Sequence, residues 1–182
     1  PHEWLEQCYV ETAALQNLGL PAVPNLVVYE LPERGKRYFI GGDPAEGNPT
    51  SDESAFTVVD EDGVEVAVCA GRFQVDTFAH YTAMVASWYG VGSGSETAVL
   101  VERNNHGHAV LLWFSENRDN EEVASVDWDF VTILDGLDGR AGWLSSAKGK
   151  KQMYTYGTEA FRDEETVLRS FETYAQLSSI SL

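Results

Sequence analysis

The chain has 182 residues, of which 43% are hydrophobic, and it carries a formal net charge of −17. This length and apolar content are typical of one domain with its own core, and they exclude a chain that is disordered as a whole. The acidic excess argues against tight binding to nucleic acid or to an anionic membrane, because contacts with phosphate require Lys and Arg.

The sequence lacks the motifs of several other classes of protein. Cys8 and Cys69 lie far apart without a Cys-x-x-Cys pair, which favours a reducing compartment over a disulfide framework and gives no zinc pattern. No Gly-x-x-x-x-Gly-Lys-Ser/Thr loop is present, so the sequence does not predict a P-loop NTPase. No apolar run reaches about 18 residues, so it predicts no membrane span.

The first 36 residues are predicted to form a helix and an extended arm. Apolar residues from Trp4 to about Leu18 form an irregular helical stripe, which Gly19 ends. Three of the six prolines follow within a short stretch, which is typical of a linker. We therefore assign 1–36 as an N-terminal helix and linker arm, and 37–182 as the main domain.

Three strands are predicted at the start of the main domain. They cover Arg37 to Asp43, Ser54 to Asp60 and Val64 to Ala70, where apolar side chains alternate or run continuously. The Asp-Gly pair at 62–63 is typical of a tight hairpin between the second and third strands. The three strands should therefore form an antiparallel meander.

A helix and a fourth strand are expected next. Apolar residues recur at spacings of three and four from Asp76 or Thr77 to about Tyr89, the pattern of an amphipathic helix. The continuous apolar run from Thr97 to Glu102 is typical of a central strand covered on both faces. Because the helix is a crossover, it can return this strand parallel to the first one.

The remaining third of the chain gives weaker signals. A helix should start at His108, residues 119–137 should form a hairpin or a strand with a loop, and residues 139–151 should form a loop rich in Gly, Ser and Lys. An amphipathic helix is expected over 166–177. The order β-β-β-α-β-α predicts a mixed α/β fold, with helices on both faces of one sheet.

Two acids stand at the ends of apolar strands. Asp43 and Glu102 each precede a loop rich in Gly or Asn, and parallel neighbouring strands would place both at one sheet edge. Carboxylates there can bind Mg²⁺ or Mn²⁺ through their oxygens, and paired ions can activate a water for hydrolysis of a phosphodiester. The alternative for either acid is a turn former or a helix cap.

Several motifs together resemble the nuclease domain of phage large terminase proteins. Residues 42–47 (Gly-Asp-Pro-Ala-Glu-Gly), followed by 52–56, are similar to its first acidic strand, and 101–107 (Val-Glu-Arg-Asn-Asn-His-Gly) resembles its second acidic motif. Residues 142–146 and the lysines between 148 and 151 resemble the Gly-Trp, Ser/Thr and Lys segment that follows in many members.

The resemblance implies an RNase H-like fold and metal-dependent endonucleolytic cleavage of concatemeric viral DNA. By the motif match, Asp43 and Glu102 would be the first two acids of a two-metal site for Mg²⁺ or Mn²⁺. Asp52 would be an auxiliary acid in catalysis, or else a simple turn residue. The implied partners are double-stranded viral DNA, an upstream ATPase domain, the small terminase and the portal, in the host cytoplasm.

One feature departs from the family pattern. The third catalytic acid of the family usually lies in a His-Asp-Asp-like motif after the terminal β/α segment, and the sequence contains no such motif. Asp163, the nearest acid, has a setting typical of a helix start. The third acid is therefore expected beyond Leu182.

Basic residues near these motifs are candidates for DNA binding. Arg103 could contact a phosphate or form a salt bridge with a nearby acid. Lys148, Lys150 and Lys151, with Arg140, place four of the twelve bases within a short stretch, which is either a solvated loop or a contact with the DNA backbone.

Three alternative functions remain open from the residues alone. A related RNase H-like nuclease, such as a junction resolvase, would carry the same acid pair. An actin-like ATP-binding module also begins with an acidic strand, although Pro44-Ala45 replaces the expected phosphate-binding residues. A non-catalytic partner module would use its acids only for solubility.

Overall fold

The computed structural model of the protein describes residues 2–16 and 19–180. Within these residues the chain forms five α-helices, six strands and a short 3₁₀ helix around one sheet. In chain order they are α1 (His2–Cys8), β1 (Val27–Val28), β2 (Tyr38–Asp43), β3 (Ser54–Asp60), β4 (Glu65–Gly71), α2 (Val75–Ser93), β5 (Thr97–Val101), α3 (Asn105–Asn117), the 3₁₀ helix (Trp128–Phe130), β6 (Val131–Ile133), α4 (Ala147–Arg162) and α5 (Phe171–Ser178).

The sheet has the strand order β1-β4-β3-β2-β5-β6 and mixes both kinds of pairing. β2, β3 and β4 form the predicted antiparallel meander, joined by a turn that places Gly63 at φ 74°. β5 lies parallel to β2, with Ile40 opposite Val99 and Gly42 opposite Val101. The predicted crossover through α2 is therefore confirmed, and it brings two strands from distant parts of the sequence side by side.

Helices cover both faces of the sheet, as predicted, but they do so unequally. On one face, fully buried strand residues such as Phe56 and Val99 pack against Phe78 and Tyr89 of α2 in the main hydrophobic core. On the other face, α1, α4 and α5 lie over strand residues of small size, such as Gly41. Small side chains fill less space, so this second layer leaves a cavity above the sheet.

The N-terminal segment differs from the prediction. Helix α1 ends at Cys8 rather than near Leu18, which itself lies outside the described residues. The backbone of Leu168 takes over the hydrogen bonds there, because its N–H donates to the Cys8 carbonyl at 2.8 Å and its carbonyl accepts from Val10 at 2.9 Å. The expected arm also contributes to the sheet, since β1 pairs with β4 through Val27 and Val68.

The predicted loop over 139–151 is wrong at its C-terminal end, where α4 begins at Ala147. The Ser146 side chain caps the helix by accepting a hydrogen bond from the Gly149 N–H at 3.1 Å. The helix expected from 166 instead begins at Phe171, because Ser170 caps it by accepting from the Thr173 N–H at 3.2 Å.

A buried glutamate ties the C-terminal segment to the sheet. Glu65 is 1% exposed, and one of its carboxylate oxygens accepts hydrogen bonds from the backbone N–H groups of Arg169 (3.0 Å) and Ser170 (2.7 Å).

No helix in the stretches 2–16 and 19–180 has the length and apolar character to cross a membrane.

Replacing Glu65 by Ala should lower the free energy of unfolding by about 2–4 kcal/mol, because two buried N–H groups lose their acceptor. Denaturant unfolding measures this loss. Glu65→Gln keeps a side-chain carbonyl and should lose less, and the exposed Glu96→Ala should change little. Equal stability of the Ala variants at 65 and 96 would show that Glu65 does not anchor the segment.

Candidate active site

Two carboxylates meet where the parallel strands β2 and β5 end. Asp43 is the last residue of β2, and Glu102 follows the last residue of β5. The Glu102 N–H donates to the Gly42 carbonyl at 2.8 Å, which extends the parallel ladder to the acids themselves. Each carboxyl shifts the pKa of the other, so the two lie close together and the structure brings together the pair that the sequence singled out.

Glu102 is fixed on both sides by its neighbours. Its carboxylate accepts a hydrogen bond from the Asn104 side-chain amide at 3.0 Å, and the nearby Ser145 side chain helps to lower its pKa. Trp143 pairs with it along the backbone, donating from its N–H to Val101 at 2.7 Å and accepting from the Arg103 N–H at 2.6 Å. These contacts hold the carboxylate at the edge of the sheet before any ligand arrives.

The turn after Glu102 requires a glycine. Helix α3 starts so close to the strand end that a Cβ atom on Gly107 would lie 1.8 Å from the Glu102 carbonyl oxygen. Any other residue would push α3 away from the strand end. Gly107 therefore sets the polar loop that surrounds the acid.

The two carboxylates have opposite pKa shifts. Asp43 has its pKa raised to about 7, first by partial desolvation and then by its hydrogen bond to Glu102 and the negative charges of Glu102 and Asp52. Glu102 has its pKa lowered, mainly by the hydrogen bond from Asp43, with help from Ser145 and Lys150. Below about pH 7 the pair therefore holds one proton between its two carboxyl groups.

Asp52 lies near the pair but does not join it. Asp52 is exposed in the loop before β3, and its negative charge helps to raise the pKa of Asp43. Within the described residues, no group of three His, Cys, Asp or Glu side chains is placed to hold a metal ion. The site there thus has two candidate ligands, with Asp52 as a nearby charge.

The donor set suits one hard divalent cation. Mg²⁺ and Mn²⁺ prefer oxygen ligands, and the pair supplies carboxylate oxygens only. Burial and the negative charges of Glu102 and Asp52 raise the pKa of Asp43, and a bound cation would oppose these effects by taking the place of the proton. A second ion would need more ligands than the described residues assemble.

Arg103 forms the salt bridge that the sequence left as one of two alternatives. It is 6% exposed, and its guanidinium donates to the Asp138 carboxylate and, at 3.3 Å, to the Ala141 carbonyl. The side chain is thus committed to the turn beside Trp143. Its contact with a DNA phosphate stays a prediction, which would require the side chain to leave this salt bridge.

The three candidate lysines lie in the first turns of α4, and all are exposed. Lys150 lines the same cavity as Asp43 and Glu102. Lys150 and Lys151 both line a shallow groove on the outer side of the helix, and Lys148 lines neither space. The structure therefore separates three residues that the sequence treated as one cluster.

The sequence motif that contains Trp143 and Ser145 resembles a family segment, but sequence reasoning assigns neither residue a role in the site. Both lie just before α4, where Trp143 forms a backbone bridge with Glu102 and Ser145 lies close to the Glu102 carboxyl. One signal in the sequence predicts where α4 starts, because Ser146 is a typical helix cap and strong helix formers follow it.

A cavity of about 820 Å³ opens beside the acid pair. Its floor is the second face of the sheet, where Gly41 and Thr57 leave open space, and its walls come from α1, α4 and α5. This volume lies within the range of ligand sites in proteins. The lining is mostly apolar, with the charged groups gathered at the end near Asp43. The charged residues lining the cavity are Asp43, Glu102 and Lys150.

A mixed sheet with two acids at the ends of adjacent parallel strands, covered by helices on both faces, is an α/β fold of the RNase H-like kind. Among solved structures, the chain is similar to the large terminase nuclease from thermophilic phage G20c, with a TM-score of 0.55 and 13% sequence identity. The similarity covers 94% of this chain and 75% of that one. The fold implied by the sequence motifs is thereby confirmed.

Comparisons of sequence alone find no such similarity. No protein-family model matches the chain, and no curated protein matches it either. At 13% sequence identity, this structural similarity establishes the fold alone.

Proposed function

We propose that this chain is a metal-dependent DNA endonuclease domain of a viral DNA-packaging terminase, which hydrolyses phosphodiester bonds of concatemeric DNA. The observation that carries the proposal is the pair of acids Asp43 and Glu102, held side by side at the ends of two parallel strands in a fold shared with a terminase nuclease. Carboxylates so placed are the usual protein ligands for cations that act on phosphates.

The residues of the chain have distinct roles in this proposal. Asp43 and Glu102 would hold Mg²⁺ or Mn²⁺, and Asn104 and Ser145 keep Glu102 oriented toward it. When bound, the cation supplies Lewis-acid polarisation of the phosphate and lowers the pKa of a water. Asp43 would give up its proton in order to hold the cation, and the negative charge of Asp52 would favour cation binding.

The finer parts of the proposal come from the terminase resemblance. They are a second Mg²⁺ or Mn²⁺, a third acid from a segment beyond Leu182, and assembly with an ATPase domain, a small terminase and a portal in the host cytoplasm. The charge of −17 fits such an assembly, because a domain so acidic binds DNA weakly alone and would receive it from its partners.

Cleavage of supercoiled plasmid tests the proposal directly. With Mg²⁺ or Mn²⁺ the protein should convert supercoiled DNA to nicked and linear forms, and chelation of the metal should stop the reaction. The assay should be run on this chain and on its natural polypeptide, since the resemblance expects a third acid outside this sequence. Absence of cleavage by both proteins with either metal would refute the proposal.

A further inference from the structure

We propose that Lys150 is a catalytic residue whose ammonium group contacts the scissile phosphate, whereas Lys148 and Lys151 serve only to attract DNA. The inference rests on the proposed endonuclease function and deepens it, since it assigns a chemical role to one side chain of a basic cluster. It starts from the way in which helix α4 is joined to the acid pair.

The first turn of α4 has a fixed position relative to Glu102. The strand-like pairing of Trp143 with Glu102 sets the segment before the helix, and the Ser146 cap sets its first residue. Gly149 then packs tightly, because a Cβ atom there would lie 2.6 Å from the Leu144 carbonyl oxygen and 3.4 Å from the Trp143 ring nitrogen. Lys150 follows directly, so its Cα position is set by these contacts.

The direction of the three lysines follows from helix geometry. Successive residues of an α-helix point about 100° apart, so neighbours cannot share one direction. Lys150 lines the cavity that contains both acids, whereas Lys151 lines only the outer groove, with Thr155, Glu159 and Arg162. Lys148 lines neither. One lysine of the three is therefore placed over the site.

The ammonium group of Lys150 is free to bind a substrate anion. In the part of the chain that the structure describes, Lys150 forms no ion pair, in contrast to Lys36 with Glu33 and Asp60. Its charged group lines the same cavity as Asp43 and Glu102, so it lies on the side of α4 that faces the acids. A flexible cation close to the acids, but not bound to them, can reach a phosphate that lies between them.

The chemistry of phosphodiester hydrolysis gives such a cation a role. Negative charge grows on the phosphate oxygens as water attacks, and a positioned donor that meets this charge lowers the barrier. An ammonium group offers three N–H donors and no acceptor, so it fits an oxyanion. A lysine that only attracts DNA would stabilise substrate and transition state alike and would leave kcat unchanged.

Single-residue variants of the three lysines separate these roles. Lys150→Ala should lower kcat for plasmid cleavage by about 10²–10³-fold with little change in KM, as expected for loss of one transition-state donor. Lys148→Ala and Lys151→Ala are the matched controls, and both should keep kcat. Each should weaken DNA binding and reduce the slope of log K for DNA binding against log salt concentration by about one. Lys150→Arg should restore part of the rate. Thermal melting confirms that each variant is folded.

A second measurement does not require turnover. NMR titration of the Asp43 carboxyl should show a higher pKa in Lys150→Ala than in the unmodified protein, and no change in Lys151→Ala. Equal pKa values in all three proteins, or a loss of kcat no larger for Lys150→Ala than for the controls, would overturn the proposal. Inactivity of both this chain and its natural polypeptide would count against the endonuclease function, and the titration would then decide the placement of Lys150.

Discussion

Replacing Asp43 by Asn is expected to reduce metal-dependent DNA cleavage by at least about a hundredfold while leaving the fold intact. The amide keeps the size of the side chain but removes the charge that holds the cation, and a lost metal removes several kcal/mol of transition-state stabilisation. Because Asp43 lies at the exposed end of β2, the change creates no cavity. Plasmid nicking in Mn²⁺ measures the rate, and calorimetry measures Mn²⁺ binding.

The neighbouring acids supply controls for this experiment. Glu102→Gln should have an effect of similar size, because it removes the other ligand of the pair. Asp52→Asn should reduce activity less, since Asp52 acts on the site only through its charge. The exposed Glu46→Gln should retain activity. Cleavage by Asp43→Asn at the unmodified rate would place the active site elsewhere.

The part of the fold that carries the acids could be predicted from the sequence because its signals are local. A run of aromatic and β-branched residues between turn residues predicts a strand over Ser54–Asp60, and the structure has a strand with those bounds. The crossover rule then converts a helix between two apolar strands into a parallel pair. When two parallel strands are neighbours, their terminal acids lie at the same sheet edge, so the residue pattern makes Asp43 and Glu102 candidates and the motif resemblance singles them out.

The remaining parts depend on contacts between residues distant in the sequence. Helix α1 ends at Cys8 because Leu168 supplies backbone partners there, and no local stop signal marks that position. Arg103 is buried because Asp138 lies next to it only in the folded chain. Helix α4 carries Gly149 and Gly157, which weaken its helical pattern, so the sequence does not predict the cavity that the helix encloses.

The acids and bases of the chain are unevenly distributed around the Asp43–Glu102 pair. The stretch 38–71, which contains Asp43 and Asp52, includes no Lys or Arg. The positive charge that acts on the site comes instead from Lys150 on α4. The local excess of carboxylates therefore favours a cation at the site, whereas the general excess weakens any contact with DNA.

The second large effect expected is a pH-dependent coupling between metal binding and stability. Asp43 has a pKa of about 7 in the folded protein and an ordinary value of 3.8, so between these values the folded state binds more protons than the unfolded state. The free energy of unfolding should therefore fall as pH rises from about 4 to about 7, and this contribution should stay constant above 7. Glu102, with its lowered pKa, has the opposite sign, and its effect is confined to more acidic pH.

Denaturant unfolding from pH 5 to pH 8, with and without Mn²⁺, measures this coupling. Without metal, the free energy of unfolding of the unmodified protein should fall by about 1–2 kcal/mol from pH 5 to pH 8, relative to that of Asp43→Asn. This figure is smaller than the full pKa shift would give, because Asp43 is partly exposed to solvent. Saturating Mn²⁺ should reverse the loss at pH 8 and act weakly at pH 5, because protons compete with the cation for the carboxylate. Asp43→Asn should show neither effect. Parallel pH profiles for the two proteins, or equal stabilisation by Mn²⁺ at both pH values, would contradict the assignment of Asp43 as the group that exchanges a proton for the metal.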